Sequence, residues 1–142
     1  MIHQLSVFLE NRSGRLAEIT RILGEVGIDI RALSIADTTD FGILRLIVND
    51  PDKAVKSLRD SGFTAVVTEV MAVRMTDAPG ALYGVLSILT QAGYSIEYAY
   101  AFITRNKDDA FVILRVEDVQ GATRLLAENG VPMLAPEDVY TV

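Results

Sequence analysis

The second half of this 142-residue chain repeats the first half, and this repeat limits the possible folds more than any other feature. The stretch Asn11-Arg12-Ser13-Gly14-Arg15-Leu16 recurs in outline as Asp77-Ala78-Pro79-Gly80-Ala81-Leu82, 66 positions later. The stretch Phe41–Leu46 recurs as Phe111–Val116, 70 positions later, so the second copy has four additional residues, which we expect in a turn around 105–108. Two domains are therefore predicted, at 1–70 and 71–142.

Each copy predicts the order strand, helix, strand, strand, helix, strand. Leu5, Val7 and Leu9 recur at every second position, which is the period of a β-strand. Asp50 followed by proline is typical of a helix N-terminus, and Asp118 is its equivalent in the second copy. This order predicts an α+β fold of two ferredoxin-like βαββαβ sandwiches in tandem, each an antiparallel sheet with helices on one face.

The third strand of each copy is apolar on both of its faces. In Phe41–Val48, alternate residues are expected to lie under the helices, whereas Phe41 and Ile43 take the opposite face. Phe111 and Ile113 repeat this pattern in the second copy. We therefore expect the open face to be covered, either by the other copy or by another chain, and we expect a homodimer.

Composition excludes several classes of site. Half of the residues are hydrophobic, there is no cysteine, and His3 is the only histidine, so thiolate zinc sites and cysteine nucleophiles are excluded. The net charge of −6 argues against a nucleic-acid surface. No apolar run approaches the ~20 residues of a membrane span, and the N-terminus lacks the basic and apolar regions of a signal peptide. We expect a cytoplasmic protein with no cofactor, metal, nucleic-acid or membrane partner.

The usual catalytic motifs are also missing from the sequence, including the phosphate-binding loop, the dinucleotide fingerprint and the nucleophile elbow. Adjacent carboxylates such as Asp108 and Asp109 point apart on a strand, so we interpret them as turn and cap residues. We therefore expect that the chain is not an enzyme.

The repeated strand-to-helix turn is the positive signal for function. A helix N-terminus carries unpaired N–H groups that attract an anion, and glycine at Gly14 and Gly80 permits close approach of a ligand. Asn11 and Asp77, just upstream, offer oxygen acceptors for an ammonium group. Together these groups have the outline of a site for a free α-amino acid. The alternative is structural: the two polar residues cap the helices, and the glycines turn the chain.

These two stretches resemble the [ND]-x-P-G-x-L signature of ACT domains, and the resemblance covers both halves of the chain. ACT domains are typically regulatory modules that bind amino acids at interfaces between domains. The resemblance implies that an effector contacts the turn after the first strand of one domain and the second strand of its neighbour. Carried over to this sequence, the turn residues are Asn11, Ser13, Gly14, Arg15, Leu16, Asp77, Ala78, Gly80, Ala81 and Leu82.

The two turns depart from the signature in different ways. Ser13 stands where the signature has proline, and Arg12 and Arg15 stand where the second copy has Ala78 and Ala81. Arg15 is either a clamp for a carboxylate or a solvated residue on the helix surface, and we expect the solvated arrangement.

An aromatic run distinguishes the second strand of the second copy. Its aromatic and apolar residues recur with period two and are predicted to share one face: Tyr94, Ile96, Tyr98, Tyr100 and Phe102. Packing is one explanation for this stripe. The other is a pocket in which Tyr98 and Tyr100 face small residues of the first copy, including Ser34, and hold the side chain of the effector.

The sequence therefore predicts a small-molecule sensor that binds a free L-amino acid at an ACT domain interface. The alternative is a regulatory small subunit of an amino-acid biosynthetic enzyme such as acetolactate synthase. A small enzyme on the same sandwich, for instance an acylphosphatase, would need a basic phosphate cradle after the first strand. Arg12 and Arg15 lie there, but the glycine spacing does not fit.

Overall fold

A computed structural model describes residues 1–38, 40–102 and 107–140, without the side chain of Tyr140. The strands are β1 (Ile2–Glu10), β2 (Ile30–Asp37), β3 (Phe41–Val48), β4 (Ala65–Thr76), β5 (Ile96–Ala101) and β6 (Asp109–Val116). The helices are α1 (Arg15–Glu25), α2 (Pro51–Asp60), α3 (Ala81–Gln91) and α4 (Val119–Glu128), followed by a 3-10 helix at Asp138–Tyr140. The predicted α+β fold with tandem ferredoxin-like units is confirmed. The insertion expected around 105–108 lies partly outside the described residues.

The chain forms two compact units, and β4 runs from the first into the second. The first unit is His3–Thr68, and the second comprises Met1–Ile2 and Glu69–Val142. The domain limits inferred from the repeat, 1–70 and 71–142, stay a prediction, because compactness alone does not show that either segment folds independently.

In the first unit the strand order is β2-β3-β1, and the first residues of β4 continue it beyond β1. Both β1 and β2 pair antiparallel with β3; Val7, for example, lies opposite Leu44. The amide of Phe8 donates to the carbonyl of Thr64 at 2.9 Å. Buried residues of one sheet face and of α1 and α2 form the core, among them Leu5, Val7, Leu9, Ile19, Leu23, Leu44, Leu46 and Leu58.

The second unit repeats this order with the rest of β4 as its first strand. Both β4 and β5 pair antiparallel with β6. On the other side of β4, the amide of Arg74 donates to Pro132 at 2.9 Å and the amide of Leu134 donates to Ala72 at 2.8 Å. The core contains Met71, Val73, Val85, Leu89, Leu114, Val116, Ala122 and Leu126. Burial of each large apolar side chain contributes roughly 1.5–3 kcal/mol.

The second helix of each unit begins with a side-chain cap, as predicted. Asp50 Oδ1 accepts from the amide of Lys53 at 3.1 Å, and Asp118 Oδ1 accepts from the amide of Gly121 at 3.0 Å. The proline after Asp50 occupies the first turn of α2, where its missing N–H costs no hydrogen bond.

Each second strand contains one register shift at the same place in the repeat. In β2 the shift lies between Ile30 and Ala32, and in β5 it lies between Ile96 and Tyr98, 66 positions later. Because such an irregularity resets the alternation of side chains, residues before and after it face opposite sides of the sheet.

The prediction that the aromatic stripe shares one face is therefore wrong. Tyr94 and Ile96 pack against the core of the second unit. Tyr98 lies opposite Arg115 and Tyr100 lies opposite Ile113, on the other face. The register shift divides the stripe into a core part and a part on the open face.

The open faces of the two units differ in exposure. Phe41 is 47% exposed and Ile43 is 39% exposed, whereas Phe111 is 3% exposed and Ile113 is fully buried. Coverage of the open face of the first unit, by the other copy or by another chain, stays a prediction.

Candidate functional site

The two strand-to-helix turns have the same backbone hydrogen bonds. In the first turn, the backbone N–H of Arg12 donates to the carbonyl of Glu10 at 2.8 Å, and the backbone N–H of Arg15 donates to the carbonyl of Arg12 at 3.3 Å. In the second turn, the amide of Ala78 donates to Thr76 at 2.9 Å and the amide of Ala81 donates to Ala78 at 3.2 Å. The repeat is thus conserved in geometry as well as in sequence.

Glycine occupies the N-cap of both helices that follow these turns. Gly14 has φ of 84° and Gly80 has φ of 82°, a left-handed conformation that side chains rarely adopt. A glycine has no side chain to accept from the first-turn N–H groups, in contrast to the aspartates that cap α2 and α4. Of the structural alternative, the capping role of Asn11 and Asp77 is wrong, because Gly14 and Gly80 hold the N-cap position, whereas the turning role of the glycines agrees with their positive φ. The first turns of α1 and α3 can therefore donate to an external anion.

Asn11 and Asp77 tie each turn to the hairpin between the second and third strands. The backbone N–H of Asn11 donates to the carbonyl of Asp40 at 2.9 Å, and its side-chain Nδ2 donates to the carbonyl of Thr38 at 3.3 Å. The amide of Asp77 donates to Asp108 at 3.0 Å. A backbone hydrogen bond thus anchors each turn to the hairpin that follows the second strand.

Arg15 is enclosed, so the expectation that it is solvated is wrong. Its Nη1 lies 3.0 Å from Glu18 Oε2, its Nη2 lies 3.5 Å from Glu10 Oε1, and only 24% of the side chain is exposed. The guanidinium carbon lies 5.3 Å from the ring centroid of Phe63. The physical reason is that the end of β1 and the segment before β4 both meet the first turn of α1.

The remaining predicted turn residues lie at the surface or at the edge of the core. Ser13 and Ala78 are exposed, and Leu16 and Leu82 are exposed to a similar degree at the matching positions of α1 and α3. Ala81, the counterpart of Arg15, packs against the core of the second unit. Each turn thus brings its own predicted residues together, but only the first turn carries cations.

The predicted residues of the second strands lie in different units. Tyr98 and Tyr100 stack with their ring centroids 6.3 Å apart in the second unit. Ser34 lies opposite Arg45 in the first unit. The pocket between these residues stays a prediction.

Sequence reasoning missed a cleft inside the first unit, which we call the Arg15 cleft. It encloses about 150 Å³ and is lined by Phe8, Glu10, Arg15 and residues 61–64. Neither Glu10 nor Phe63 is among the predicted site residues. A signal for Glu10 was present, since an acid directly before the motif complements the motif's arginines, but nothing local connects Phe63 with Arg15.

Within the part of the chain that the structure describes, no three His, Cys, Asp or Glu side chains are grouped so as to hold a metal ion. None of the helices in residues 1–38, 40–102 and 107–140 is long and apolar enough to cross a membrane.

Comparison with known proteins gives one family and several similar structures. The model of the ACT domain pair matches residues 1–142. Protein BT0572 from Bacteroides thetaiotaomicron is 44% identical, with a TM-score of 0.93 over 99% of this chain and 96% of that one. The regulatory subunit of aspartate kinase from Thermus thermophilus is 16% identical, with a TM-score of 0.65 over 89% of this chain and 91% of that one. The comparison with curated proteins gives no match.

A longer protein contains a similar fold. The aspartate kinase of Clostridium acetobutylicum is 13% identical, with a TM-score of 0.51 over 89% of this chain but only 32% of the kinase. At these low identities, the two aspartate kinase structures share the fold with this chain.

Proposed function

The chain belongs to the ACT domain-pair family, and from this premise we propose that it is a regulatory protein that binds a free L-amino acid at an interface between ACT domains. The observation that carries this proposal is the duplicated turn with a left-handed glycine at the N-cap of α1 and of α3. The N–H groups of the following helical turn are suited to the carboxylate of the amino acid.

The ammonium group of the ligand would bind to the residue just upstream. Asp77 carries a carboxylate, and Asn11 carries an amide whose Nδ2 donates to the carbonyl of Thr38. That hydrogen bond orients the amide, whose acceptor atom is Oδ1. A carboxylate binds an ammonium more strongly than an amide does, so we expect tighter binding at the second turn.

The side chain of the effector would lie near Tyr98 or Tyr100, with Ser34 on the neighbouring second strand. Both tyrosines follow the register shift of β5, and their rings stack at 24° to one another, so they would offer the effector aromatic surface together with hydroxyl groups. Small-ligand sites are usually lined in this way, by aromatic groups with a few polar atoms.

The output of such a module would act on another protein. Two similar structures support this: one is a separate regulatory subunit of aspartate kinase, and the other is part of an aspartate kinase described as an allosteric enzyme. The similarity to a separate regulatory subunit favours a second candidate function. In that alternative, the chain is a regulatory subunit of a biosynthetic enzyme such as acetolactate synthase. In both cases the ligand would act by stabilising one arrangement of the protein over another. We also propose that the chain forms a homodimer.

A thermal-shift screen of the purified protein against the proteinogenic amino acids tests the proposal. A ligand at 100 times its Kd stabilises the folded state by about 2.7 kcal/mol, which raises the Tm by several degrees. We expect one amino acid or a related group to do so, and Asp77→Ala to abolish the shift.

A matched pair of glycine variants controls for backbone strain. Gly80 and Gly93 both have positive φ, and a Cβ at either would meet no atom within 4 Å. Gly80→Ala should remove the ligand-induced shift, whereas Gly93→Ala should lower the Tm and leave the shift intact. If no amino acid changes the Tm, binding by the isolated chain is refuted. Capture of a biosynthetic enzyme by the tagged chain would then support the subunit alternative.

A further inference from the structure

We propose that the Arg15 cleft is a second binding site, which takes a small zwitterionic α-amino acid within the first unit alone. The cleft is formed by Phe8, Glu10 and Arg15 together with residues 61–64. The inference rests on the proposed function in its class of ligand and shares Arg15 with the first turn, but no group of the cleft belongs to the second turn or to the second strands.

The guanidinium of Arg15 has donor capacity that its ion pairs do not use. Its two terminal nitrogens contact Glu18 and Glu10, whereas Nε is buried with no hydrogen-bond partner among the described residues. Arginine carries five N–H donors in a fork that matches a carboxylate. A ligand carboxylate that displaced Glu10 from Nη2 could accept from Nε as well.

Glu10 supplies the opposite charge at the same cleft. Its carboxylate lies 3.0 Å from Arg12 Nε and 3.5 Å from Arg15 Nη2, and about half of the side chain is exposed. The longer contact is a loose ion pair whose carboxylate partner is half exposed, so a ligand can separate the two groups at small cost. The ligand's ammonium would then face Glu10 and its carboxylate would face Arg15.

The volume of the cleft indicates a small ligand. A cavity of about 150 Å³ takes up benzene, a molecule of roughly six non-hydrogen atoms. Glycine, L-alanine and L-serine are of this size. Phe8 and Phe63 line the cleft, and L-phenylalanine, which is larger than these three, is expected to bind more weakly.

The second copy is a natural control, because it lacks both charges. The counterparts of Glu10 and Arg15 are Thr76 and Ala81, and the counterpart of Phe63 is Val131. We therefore expect one cleft site per chain.

Titration calorimetry on the full chain tests the inference, with glycine, L-alanine and L-phenylalanine as probes. Arg15→Ala and Glu10→Thr install the residues of the second copy, and each should raise the Kd for glycine and L-alanine at least tenfold. Arg15→Lys, which keeps the charge but not the fork, should weaken binding to a lesser degree. Arg21→Ala removes an exposed ion pair with Glu25 on the same helix and should change nothing.

The outcomes separate this inference from the proposed function. Folding of each variant is checked by its unfolding transition without ligand. Unchanged glycine and alanine binding in Arg15→Ala overturns the cleft. The cleft is also overturned if the chain binds only larger amino acids and Gly80→Ala abolishes that binding, although the proposed function then stands. Binding of small amino acids that depends on Arg15 and is insensitive to Gly80→Ala supports the cleft and removes the support for a site at the second turn.

Discussion

The guanidinium carbon of Arg15 lies 5.3 Å from the ring centroid of Phe63, which joins the first turn of α1 to the segment before β4. Phe63 is 9% exposed and belongs to the core of the first unit. Cation–π contacts of this kind contribute about 0.5–2 kcal/mol, more when the cation is shielded from water. The contact therefore contributes to stability as well as to the shape of the cleft.

Phe63→Leu should lower the free energy of unfolding by about 1–2 kcal/mol, because it removes the ring and keeps an apolar side chain. Urea denaturation measures this change. A double-mutant cycle with Arg15→Ala should give a coupling energy of about 0.5–1 kcal/mol. Strict additivity of the two variants would show that the ring does not interact with the guanidinium.

Gly121→Ala should destabilise the second unit, although alanine is the better helix former. A Cβ at this position would lie 2.5 Å from the Tyr94 hydroxyl and would also collide with the capping carboxylate of Asp118. We expect a loss of about 1–3 kcal/mol in the free energy of unfolding, measured by chemical denaturation.

Gly84→Ala is the matched control for that variant. Gly84 lies within α3, and a Cβ there would meet no atom within 4 Å. Alanine should therefore stabilise α3 by up to about 1 kcal/mol. Equal effects of the two substitutions would contradict the crowding at Gly121.

Asp50→Ala should destabilise the first unit by about 1 kcal/mol, because it removes the acceptor for the amide of Lys53. Asp50→Asn retains an oxygen acceptor and should restore most of that stability. Thermal unfolding of the three proteins in parallel measures the difference. An asparagine variant as unstable as the alanine variant would exclude the capping hydrogen bond as the cause.

Tyr98→Ala and Tyr100→Ala should weaken binding of the effector found in the amino-acid screen, about tenfold for the tyrosine that contacts it. Tyr83→Ala is the control, since Tyr83 is 75% exposed on α3. Calorimetry measures the Kd of the effector for the three variants and for the wild-type chain. Wild-type affinity in both Tyr98→Ala and Tyr100→Ala would place the effector's side chain elsewhere.

The fold could be predicted because its signals are local and occur twice. Alternating Leu5, Val7 and Leu9, the capping aspartates and the repeated glycine turns each depend on a few neighbouring residues. The register shift before Tyr98 could not be predicted in this way. No glycine or proline marks it, and the period-two stripe continues through it unchanged in the sequence.

The candidate site could likewise be predicted only where its signals are local. The left-handed glycines and the upstream Asn11 and Asp77 follow from the motif itself. The enclosure of Arg15 depends on Phe63, which is distant in sequence and is brought near by the packing of β4 beside β1. Long-range contacts of this kind are determined by tertiary packing and leave no periodic pattern in the sequence.

The continuity of β4 has a practical consequence for anyone who wishes to divide this protein. The strand spans Ala65–Thr76, and the boundary between the compact units falls within it. A fragment cut at that boundary would end or begin in the middle of a strand, with backbone donors and acceptors newly exposed at a sheet edge. Such edges favour self-association, so half-length fragments are expected to aggregate, and fragments that each contain the whole of β4 are expected to aggregate less.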